Sequence, residues 1–208
     1  RRRMPEEINR VATDHLAHLC LTATRQAQHN LLAEGIAPAR IEHAGDLHYD
    51  LFVYATTRAD RPLPSPADFD LEEGGYILAT IHRAENTDDP ERLTALLRVL
   101  DDAPLPVLLP MHPRTRQRMS RRRFAPHRSL RIVEPLGYYE LIGLLRGCRR
   151  CVTDSGGVIR EAWFARRPSV VPMQGAYWPD IINAGWSLVV GHDLDRLTAA
   201  IADFEPTG

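Results

Sequence analysis

The stretch Cys151-Val152-Thr153-Asp154-Ser155-Gly156-Gly157-Val158-Ile159-Arg160-Glu161-Ala162-Trp163 decides the fold. A short apolar run ends in Thr-Asp-Ser, two glycines follow, and an amphipathic segment begins, which predicts a strand, a tight turn and a helix. Glycine lets a backbone turn sharply and approach a ligand closely. The positive end of a helix, with its unpaired N–H groups, suits a phosphate. The alternative is an ordinary strand-to-helix turn capped by Ser155.

Apolar runs and helical patterns alternate regularly from residue 76 onward. The apolar runs predict strands over residues 76–80, 106–110, 130–133, 151–153, 169–172 and 188–190. The helical patterns predict helices over residues 89–100, 114–123, 138–146, 158–164, 178–184 and 194–204. Continuously apolar strands that alternate with helices are typical of an α/β fold with a doubly wound parallel sheet. Ligands of such sheets bind beyond the carboxyl ends of the strands.

The first 56 residues carry a shorter version of the same pattern. Helices are predicted over residues 5–16 and 25–34 and strands over 19–22 and 41–44, whereas residues 50–55 form only a brief apolar run. The segment 57–75 then combines closely spaced prolines with acidic residues, which predicts an exposed linker. We therefore place a domain boundary in this linker.

Composition excludes several kinds of protein. A hydrophobic content of 44%, a charged content of 25% and a net charge of −1 describe a soluble globular chain and argue against nucleic acid as a partner. No apolar run approaches the roughly 20 residues of a membrane helix, so no membrane partner is predicted. All 26 basic residues are arginine, which excludes a Schiff-base lysine and a lysine-containing phosphate loop in this chain.

The cysteines and histidines do not predict a metal site. Three cysteines do not build a disulfide framework, and Cys148 and Cys151 lead into a predicted strand, whereas redox pairs open a helix. We interpret them as structural cysteines in a reducing compartment. The histidines lack the spacing of metal ligands. The arginines between residues 114 and 128 are interpreted as a solvated helix face, with Arg114 as the exception worth testing.

Four polar clusters follow successive predicted strands, and they lie at residues 80–86, 112–114, 134–138 and 153–161. Each has an ordinary alternative; His82 would be a solvent-facing loop residue, and His112 would only end a strand. Together they suggest a site for a nucleoside diphosphate. Ser155 and the two glycines after it would donate to phosphate, Glu161 would hold ribose hydroxyls, and the backbone of residues 135–138 would support a base.

Five motifs occur in a fixed order along nearly the whole chain. They are Pro5-Glu6-Glu7-Ile8-Asn9-Arg10, Thr80-x-His82-Arg83-x-Glu85-Asn86, Pro110-x-His112-Pro113-Arg114, Pro135-Leu136-Gly137-Tyr138 and Thr153-Asp154-Ser155-Gly156-Gly157. This set resembles the UDP-N-acetylglucosamine 2-epimerase family. The resemblance implies a two-domain fold of the glycosyltransferase-B type, with a sugar nucleotide in the cleft between the domains. It also implies a cytoplasmic, commonly homodimeric enzyme that binds a UDP-sugar and uses no cofactor.

The resemblance further implies the domain organisation. Residues 1–56 would be the remnant of an N-terminal Rossmann-like domain, 57–75 the interdomain linker, and 76–208 a C-terminal nucleotide-binding Rossmann-like domain. The family's first half, with its glycine-rich turn and catalytic aspartate, has no counterpart in the chain. We therefore expect the chain to begin partway through the N-terminal domain, and we expect such a fragment alone not to turn over.

The implied reaction inverts carbon 2 of a UDP-N-acetylhexosamine. UDP is eliminated as the C2 proton leaves, an acetamido-glycal forms, and UDP adds again after reprotonation from the other face. By resemblance Glu6 is an acid/base carboxylate, Arg10 is its neighbour in the site, and His82 serves the diphosphate or the proton transfer. The remaining implied substrate-binding residues are Arg83, His112, Arg114, Pro135, Tyr138, Ser155, Gly156, Gly157, Glu161 and Trp178.

Two segments depart from the family pattern. The family's Gln-Glu-Glu after the glycines is Ile159-Arg160-Glu161 here, and its Arg and Thr-Glu-Arg-Pro-Glu segment is replaced by residues 173–180. Aromatic Trp178 favours stacking on a ring and removes a positive charge, so we expect an altered sugar nucleotide. Arg83 and Glu85 belong to a motif that contacts a second, activating UDP-sugar in some bacterial members. A hydrolysing epimerase, a glycosyltransferase of the same fold and a non-catalytic binding domain stay open as alternatives.

Overall fold

The computed structural model of the chain describes residues 5–58, 62–111, 113–120, 124–175 and 178–207. Within these ranges, six side chains lie outside the description: those of Pro5, Glu6, Pro113, Arg114, Arg118 and Ser120. The chain divides into two compact units, Arg1–Leu51 and Phe52–Gly208. Contacts therefore place the boundary before the linker predicted over 57–75.

The first unit is a small parallel α/β layer. Its elements are α1 (Pro5–Leu16), β1 (Cys20–Thr22), α2 (Arg25–Ala33), β2 (Ile41–His43) and the start of α3 (Leu47–Thr57). The two strands pair in parallel, with Cys20 opposite Ile41. The Thr24 side chain caps α2 by accepting from the Ala27 backbone N–H, and a small core forms around Cys20, Leu31, Ile36 and Ile41.

Helix α3 stands where the sequence shows only a brief apolar run. Its residues are apolar on nearly every side, so the periodic contrast that identifies a helix from sequence is missing. Phe52 and Ala55 are buried, and Phe52 packs in the core of the second unit. Tertiary contacts therefore stabilise the helical conformation of α3, which its sequence pattern does not predict.

The second unit holds a six-stranded parallel sheet in the order β5-β4-β3-β6-β7-β8. Its strands are β3 (Ile77–Thr80), β4 (Val107–Pro110), β5 (Leu130–Val133), β6 (Arg150–Thr153), β7 (Ser169–Val171) and β8 (Ser187–Val189). Its helices are α4 (Ala84–Thr87), α5 (Pro90–Asp101), α6 (Pro113–Ser120), α7 (Tyr138–Gly147), α8 (Gly156–Phe164), α9 (Pro179–Asn183) and α10 (Leu194–Asp203). The predicted doubly wound α/β fold is confirmed.

Two hydrophobic cores lie on the two faces of this sheet. Alternation along β3 sends Ile77 and Ala79 to one core, with leucines of α5 and α10, and Leu78 to the other, with α7 and α8. Both faces of each central strand are therefore covered, which explains why these strands are apolar throughout. The strand order reverses between β3 and β6, so a crevice opens there at the carboxyl edge.

The described part of the predicted linker lies against the second unit. A short 3₁₀ helix (Pro66–Phe69) is capped by Ser65, and Leu71 is buried in the same core as Leu78. A methyl group on Gly143 would collide with the carbonyl oxygen of Pro64. The role of residues 57–75 as an interdomain linker stays a prediction.

A buried carboxylate closes the amino edge of the sheet. Asp101, at the end of α5, is 1% exposed and accepts from the backbone N–H groups of His127, Arg128 and Leu130, each at 3.1 Å. Burial alone would raise the pKa of the Asp101 carboxyl, but these donors outweigh it and the pKa is lowered. The ionised carboxylate therefore stabilises the entry into β5.

Replacing Asp101 with Asn tests this contribution. We expect the free energy of unfolding to fall by about 2 kcal/mol near neutral pH, because buried donors lose a charged partner. Since the folded pKa lies below the unfolded one, the stabilisation is complete above the unfolded pKa of about 4. It disappears as pH falls through the folded pKa. Urea denaturation at neutral and at acidic pH measures both effects.

The matched control is Asp102→Asn. Asp102 is 56% exposed and pairs with Arg128 at 2.7 Å, so its loss should change the free energy of unfolding by less than about 1 kcal/mol. Equal losses at the two positions would contradict the assignment to the buried carboxylate.

Candidate active site

A cavity of about 470 Å³ lies at the carboxyl edge of the second unit's sheet. Thr80 and Pro110, the last residues of β3 and β4, line it, together with residues that follow β3, β5 and β6. Three predicted site residues meet there: His82, Pro135 and Ser155. The cavity therefore lies at the reversal of strand order, where such folds bind ligands.

Asp154 joins the two strands at this reversal. It follows β6, is fully buried, and accepts from the backbone N–H of His82 at 3.0 Å and of Arg83 at 3.0 Å. The side-chain amide of Asn86 donates to the same carboxylate at 3.0 Å. One side chain thereby fixes the loop that carries His82 and Arg83. Our list of site residues omitted Asp154, although its position directly after an apolar strand marks it.

The segment after β3 is also hydrogen-bonded to the loops that follow β7 and β8. Asn86 accepts from Arg92 Nε at 3.3 Å, and Arg92 donates to the carbonyl oxygens of Pro172 and Gly191. Glu85 accepts from the Gln174 backbone N–H at 2.7 Å and lies 2.5 Å from His192 Nε2. Glu85 is thus engaged within the chain.

Helix α8 begins at the cavity. The Ser155 side chain caps it by accepting from Val158 N at 3.4 Å, and Gly156 and Gly157 are its first residues. Neither glycine has a positive φ, and a methyl on Gly157 would meet only Ser155 Oγ, at 3.8 Å. The turn at these two glycines therefore does not depend on a positive φ. Gly157 leaves open space beside the helix start, whose first N–H groups lack helical partners.

Glu161 is a buried residue of this helix, and its charge acts on the half-buried Tyr138 at the start of α7. Glu161 is 8% exposed, and burial raises its pKa to about 7, with the charge of Arg160 only partly opposing. Burial first, and then the charge of Glu161, raise the pKa of Tyr138 to about 12. The Tyr138 hydroxyl is buried with no hydrogen-bond partner in the described part of the chain. Both groups retain hydrogen-bonding capacity for a ligand.

Trp178 packs over the start of α8. Its indole N–H donates to the Gly156 carbonyl oxygen at 2.7 Å, and the guanidinium of Arg160 lies 4.2 Å from the ring centroid. One face of the indole is therefore occupied by a cation. Stacking of Trp178 on a ligand ring stays a prediction, and only its other face is available for it.

The remaining predicted residues lie in the first unit or outside the description. Arg10 is held by three carboxylates, with Nη2 at 3.0 Å from Glu7 and 2.6 Å from Glu34, and Nη1 at 2.6 Å from Asp14. The hydrogen bond that Arg10 donates to Glu7 is the main cause of the raised pKa of Arg10, so the guanidinium keeps its charge. The side chains of Glu6 and Arg114, and all of His112, lie outside the described residues.

Two searches of the described residues were negative. No group of three or more His, Cys, Asp or Glu side chains within residues 5–207, the masked positions apart, is arranged to hold a metal ion. No helix in the part of the chain that the structure describes is long and apolar enough to cross a bilayer.

Glu161→Gln tests the burial of this carboxyl. A folded pKa raised from 4.5 to about 7 means that wild-type stability falls as pH rises through this interval and is level above it. The glutamine variant lacks this loss, so at about pH 8 it should be more stable than the wild type, by up to about 3 kcal/mol. Thermal unfolding across the pH range measures the difference.

Glu134→Gln is the matched control, because Glu134 is 76% exposed and pairs only at the surface with Arg116. It should leave the pH dependence of stability unchanged. A Glu161→Gln variant whose pH dependence equals that of the wild type would contradict the raised pKa.

Comparisons with known proteins match nearly the whole chain. The family model described as UDP-N-acetylglucosamine 2-epimerase matches residues 1–207. A relative from Methanococcus maripaludis, named UDP-N-acetylglucosamine 2-epimerase homolog, is 35% identical over 99% of this chain and 58% of its own length. A relative from Pseudomonas aeruginosa, named UDP-2,3-diacetamido-2,3-dideoxy-D-glucuronate 2-epimerase, is 38% identical over 94% of this chain and 54% of its own length.

A solved structure agrees with the fold. The crystal structure of Methanocaldococcus jannaschii UDP-GlcNAc 2-epimerase in complex with UDP-GlcNAc and UDP superposes with a TM-score of 0.83 and 31% identity, covering 96% of this chain and 57% of that one. The chain thus spans a little over half the length of these relatives. On the family match over residues 1–207, the chain belongs to the UDP-N-acetylglucosamine 2-epimerase family.

Proposed function

We propose that the chain holds the nucleotide of a UDP-N-acetylhexosamine and that the whole protein epimerises this sugar at carbon 2. The observation that carries the proposal is the cavity at the reversal of strand order, where the start of α8 and the His82 loop meet. Helix N-termini at this position of an open α/β sheet are favourable sites for phosphate.

The diphosphate is assigned to the start of α8. The Ser155 hydroxyl and the first N–H groups of the helix donate to phosphate oxygens, and the open space at Gly157 allows close approach. His82 lines the same cavity. A protonated imidazole there adds positive charge and can donate a proton, and a neutral one can accept a proton.

The nucleoside is assigned to the region between α7 and α8. Pro135 and Leu136 line the cavity, and Tyr138 is the first residue of α7, two positions after Leu136. Glu161, with its pKa of about 7, is poised to accept hydrogen bonds from ribose hydroxyls. Such bonds favour the ionised carboxylate, so nucleotide binding would offset part of its cost of burial.

The chemical step follows from the family resemblance. A base removes the C2 proton, the C1–O bond to UDP breaks, and the electron pair forms the C1–C2 double bond of an acetamido-glycal. Reprotonation at C2 from the other face and re-addition of UDP at C1 complete the inversion. Glu6 is assigned as an acid/base carboxylate of this step and Arg10 as its neighbour, whose charge its carboxylate partners fix.

The sugar is assigned as a UDP-linked 2-acetamido sugar. The names of the relatives from Methanococcus maripaludis and Pseudomonas aeruginosa share UDP, an acetamido group at C2 and epimerisation at C2. The changed segment around Trp178 supports a modified sugar over UDP-N-acetylglucosamine itself. A cytoplasmic homodimer is likewise the state that the family resemblance supports.

Gly157→Ala tests the phosphate position. The added methyl has room in the unliganded structure, and alanine favours a helix over glycine by about 1 kcal/mol, so the variant should be at least as stable as the wild type. We expect its affinity for UDP, measured by calorimetry, to fall by about tenfold or more, because the methyl occupies the space that a phosphate needs.

The helix caps supply a matched control. Ser155 caps α8 and Asp193 caps α10, each through a backbone N–H three residues later. Changing either to Ala should cost about 1 kcal/mol of stability, but only Ser155→Ala should weaken UDP binding. Unchanged affinity in both Gly157→Ala and Ser155→Ala would place the phosphates elsewhere.

Solvent exchange at C2 tests the reaction. In D2O the whole protein should introduce one deuterium at C2 of the product, because the abstracted proton is replaced from solvent. Proton NMR of UDP-N-acetylglucosamine and of UDP-2,3-diacetamido-2,3-dideoxy-D-glucuronate follows this exchange. Glu6→Gln should abolish exchange and leave UDP affinity unchanged. Absence of exchange with both sugars would contradict the proposal, and release of free sugar with UDP would identify the hydrolysing type.

A further inference from the structure

We infer that Asp154 is a positioning residue that acts through His82, holding the imidazole proton on Nδ1 so that Nε2 is the nitrogen presented to the cavity. The functional meaning of this inference rests on the proposed function. The ring contact on which it depends is a property of the unliganded chain.

The contacts of Asp154 divide between its two oxygens. Oδ2 accepts from the backbone N–H of Arg83 and from the side-chain amide of Asn86, both at 3.0 Å. The backbone N–H of His82 is shared, at 3.0 Å from Oδ1 and 3.1 Å from Oδ2, and Oδ1 also lies 3.2 Å from His82 Nδ1. The carboxylate is fully buried, whereas the side chain of His82 is 49% exposed and lines the cavity. Asp154 therefore reaches the site only through its neighbours.

The chemistry of a carboxylate sets the tautomer of the ring. An ionised carboxylate only accepts hydrogen bonds, so a proton on Nδ1 is attracted to Asp154, whereas a lone pair on Nδ1 is repelled. Neutral His82 therefore keeps its proton on Nδ1 and leaves a lone pair on Nε2. Protonated His82 can donate from Nε2 to a phosphate oxygen. In both states Nε2 is the atom that exchanges a proton or a hydrogen bond with a ligand.

The buried carboxylate of Asp154 has hydrogen-bond donors other than the imidazole of His82. Three donors, the backbone N–H groups of His82 and Arg83 and the amide of Asn86, already surround it. Burial of the charge is thus compensated without the imidazole. The approach of Nδ1 adds orientation of a half-exposed side chain, which is the function that outer-sphere carboxylates serve for reactive histidines.

The test reads the protonation of each imidazole nitrogen directly. Nitrogen-15 NMR of the chain without nucleotide, at about pH 8.5 where an ordinary imidazole is neutral, distinguishes the protonated nitrogen from the bare one. Comparison with His82→Gln assigns the signals among the nine histidines. We expect His82 to carry its proton on Nδ1. A proton on Nε2 in the wild type would overturn the inference, and this outcome requires no Asp154 variant to fold.

Asp154→Asn should reverse the tautomer. The amide oxygen is expected at the Oδ2 position, where Arg83 and Asn86 donate and which the backbone N–H of His82 also reaches at 3.1 Å; this puts the amide NH2 opposite His82 Nδ1. A donor at that place favours a bare Nδ1 and a proton on Nε2. A folded Asp154→Asn chain with an unchanged tautomer would also overturn the inference.

The chain contains its own control for a buried carboxylate beside a histidine. Asp101 is 1% exposed and lies 2.7 Å from Nδ1 of His127, at the amino edge of the sheet. Asp101→Asn should change the signals of His127 and leave those of His82 as in the wild type. A change at His82 in both variants would mean that general loosening of the fold, and not the local contact, sets the tautomer.

Affinity for UDP provides the functional readout. Asp154→Asn should weaken binding by roughly tenfold or more, the usual effect of removing an orienting outer partner, while Asp101→Asn should bind as the wild type does. A wild-type chain that binds no UDP but shows the proton on Nδ1 would overturn the proposed nucleotide site and leave the placement of the ring intact. Unaltered affinity in a tautomer-reversed Asp154→Asn chain would overturn the functional part of the inference.

Discussion

The carboxylate of Asp154 is fully buried where β3 and β6 end side by side, and a buried charge is stable only where donors surround it. Its donors come from the loop after β3. The buried charge of Asp154 and the conformation of that loop therefore stabilise each other. The hydroxyl contact between Thr80 and Thr153, at 2.6 Å, joins the same two strands one residue earlier. The ends of β3 and β6 beside the crevice are therefore joined by polar bonds.

Strand order explains why these bonds are needed. Crossovers run outward in opposite directions from β3 and from β6, so no helix covers the carboxyl ends of both strands. The polar backbone exposed there requires partners from side chains or from a ligand. Asp154 satisfies the loop side, and the start of α8 keeps donors facing the cavity. The loop fixed by Asp154 thus lies next to the helix start, whose donors still lack partners. This arrangement suits a binding site that is preformed before the ligand arrives.

The sequence could predict what depends on local pattern. Continuously apolar strands and 3.6-residue periodicity predicted the parallel sheet and the helices of the second unit apart from α4, since both faces of the sheet are covered. The four-residue helix α4 is too short to show that periodicity. Helix α3 was missed because its surface is apolar on nearly every side and tertiary contacts decide it. The contact of Arg10 with Glu34 was also out of reach, because 24 positions separate the two residues in sequence. Asp154 lay inside a quoted motif, but its donors lie 68 to 72 residues away.

Two buried carboxylates of the second unit show how the fold separates structure from function. Asp101 receives three backbone donors and its pKa is lowered, so its charge serves the fold without any ligand. Glu161 is buried to a similar degree but its pKa is raised to about 7, because the neighbouring charge of Arg160 offsets only part of the cost of burial. Hydrogen bonds from the hydroxyl groups of a ligand stabilise a carboxylate whose burial the fold leaves uncompensated. They stabilise it more than a carboxylate that already has its donors. The direction of the pKa shift, and not burial alone, distinguishes the carboxylate available for binding from the one that holds the sheet together.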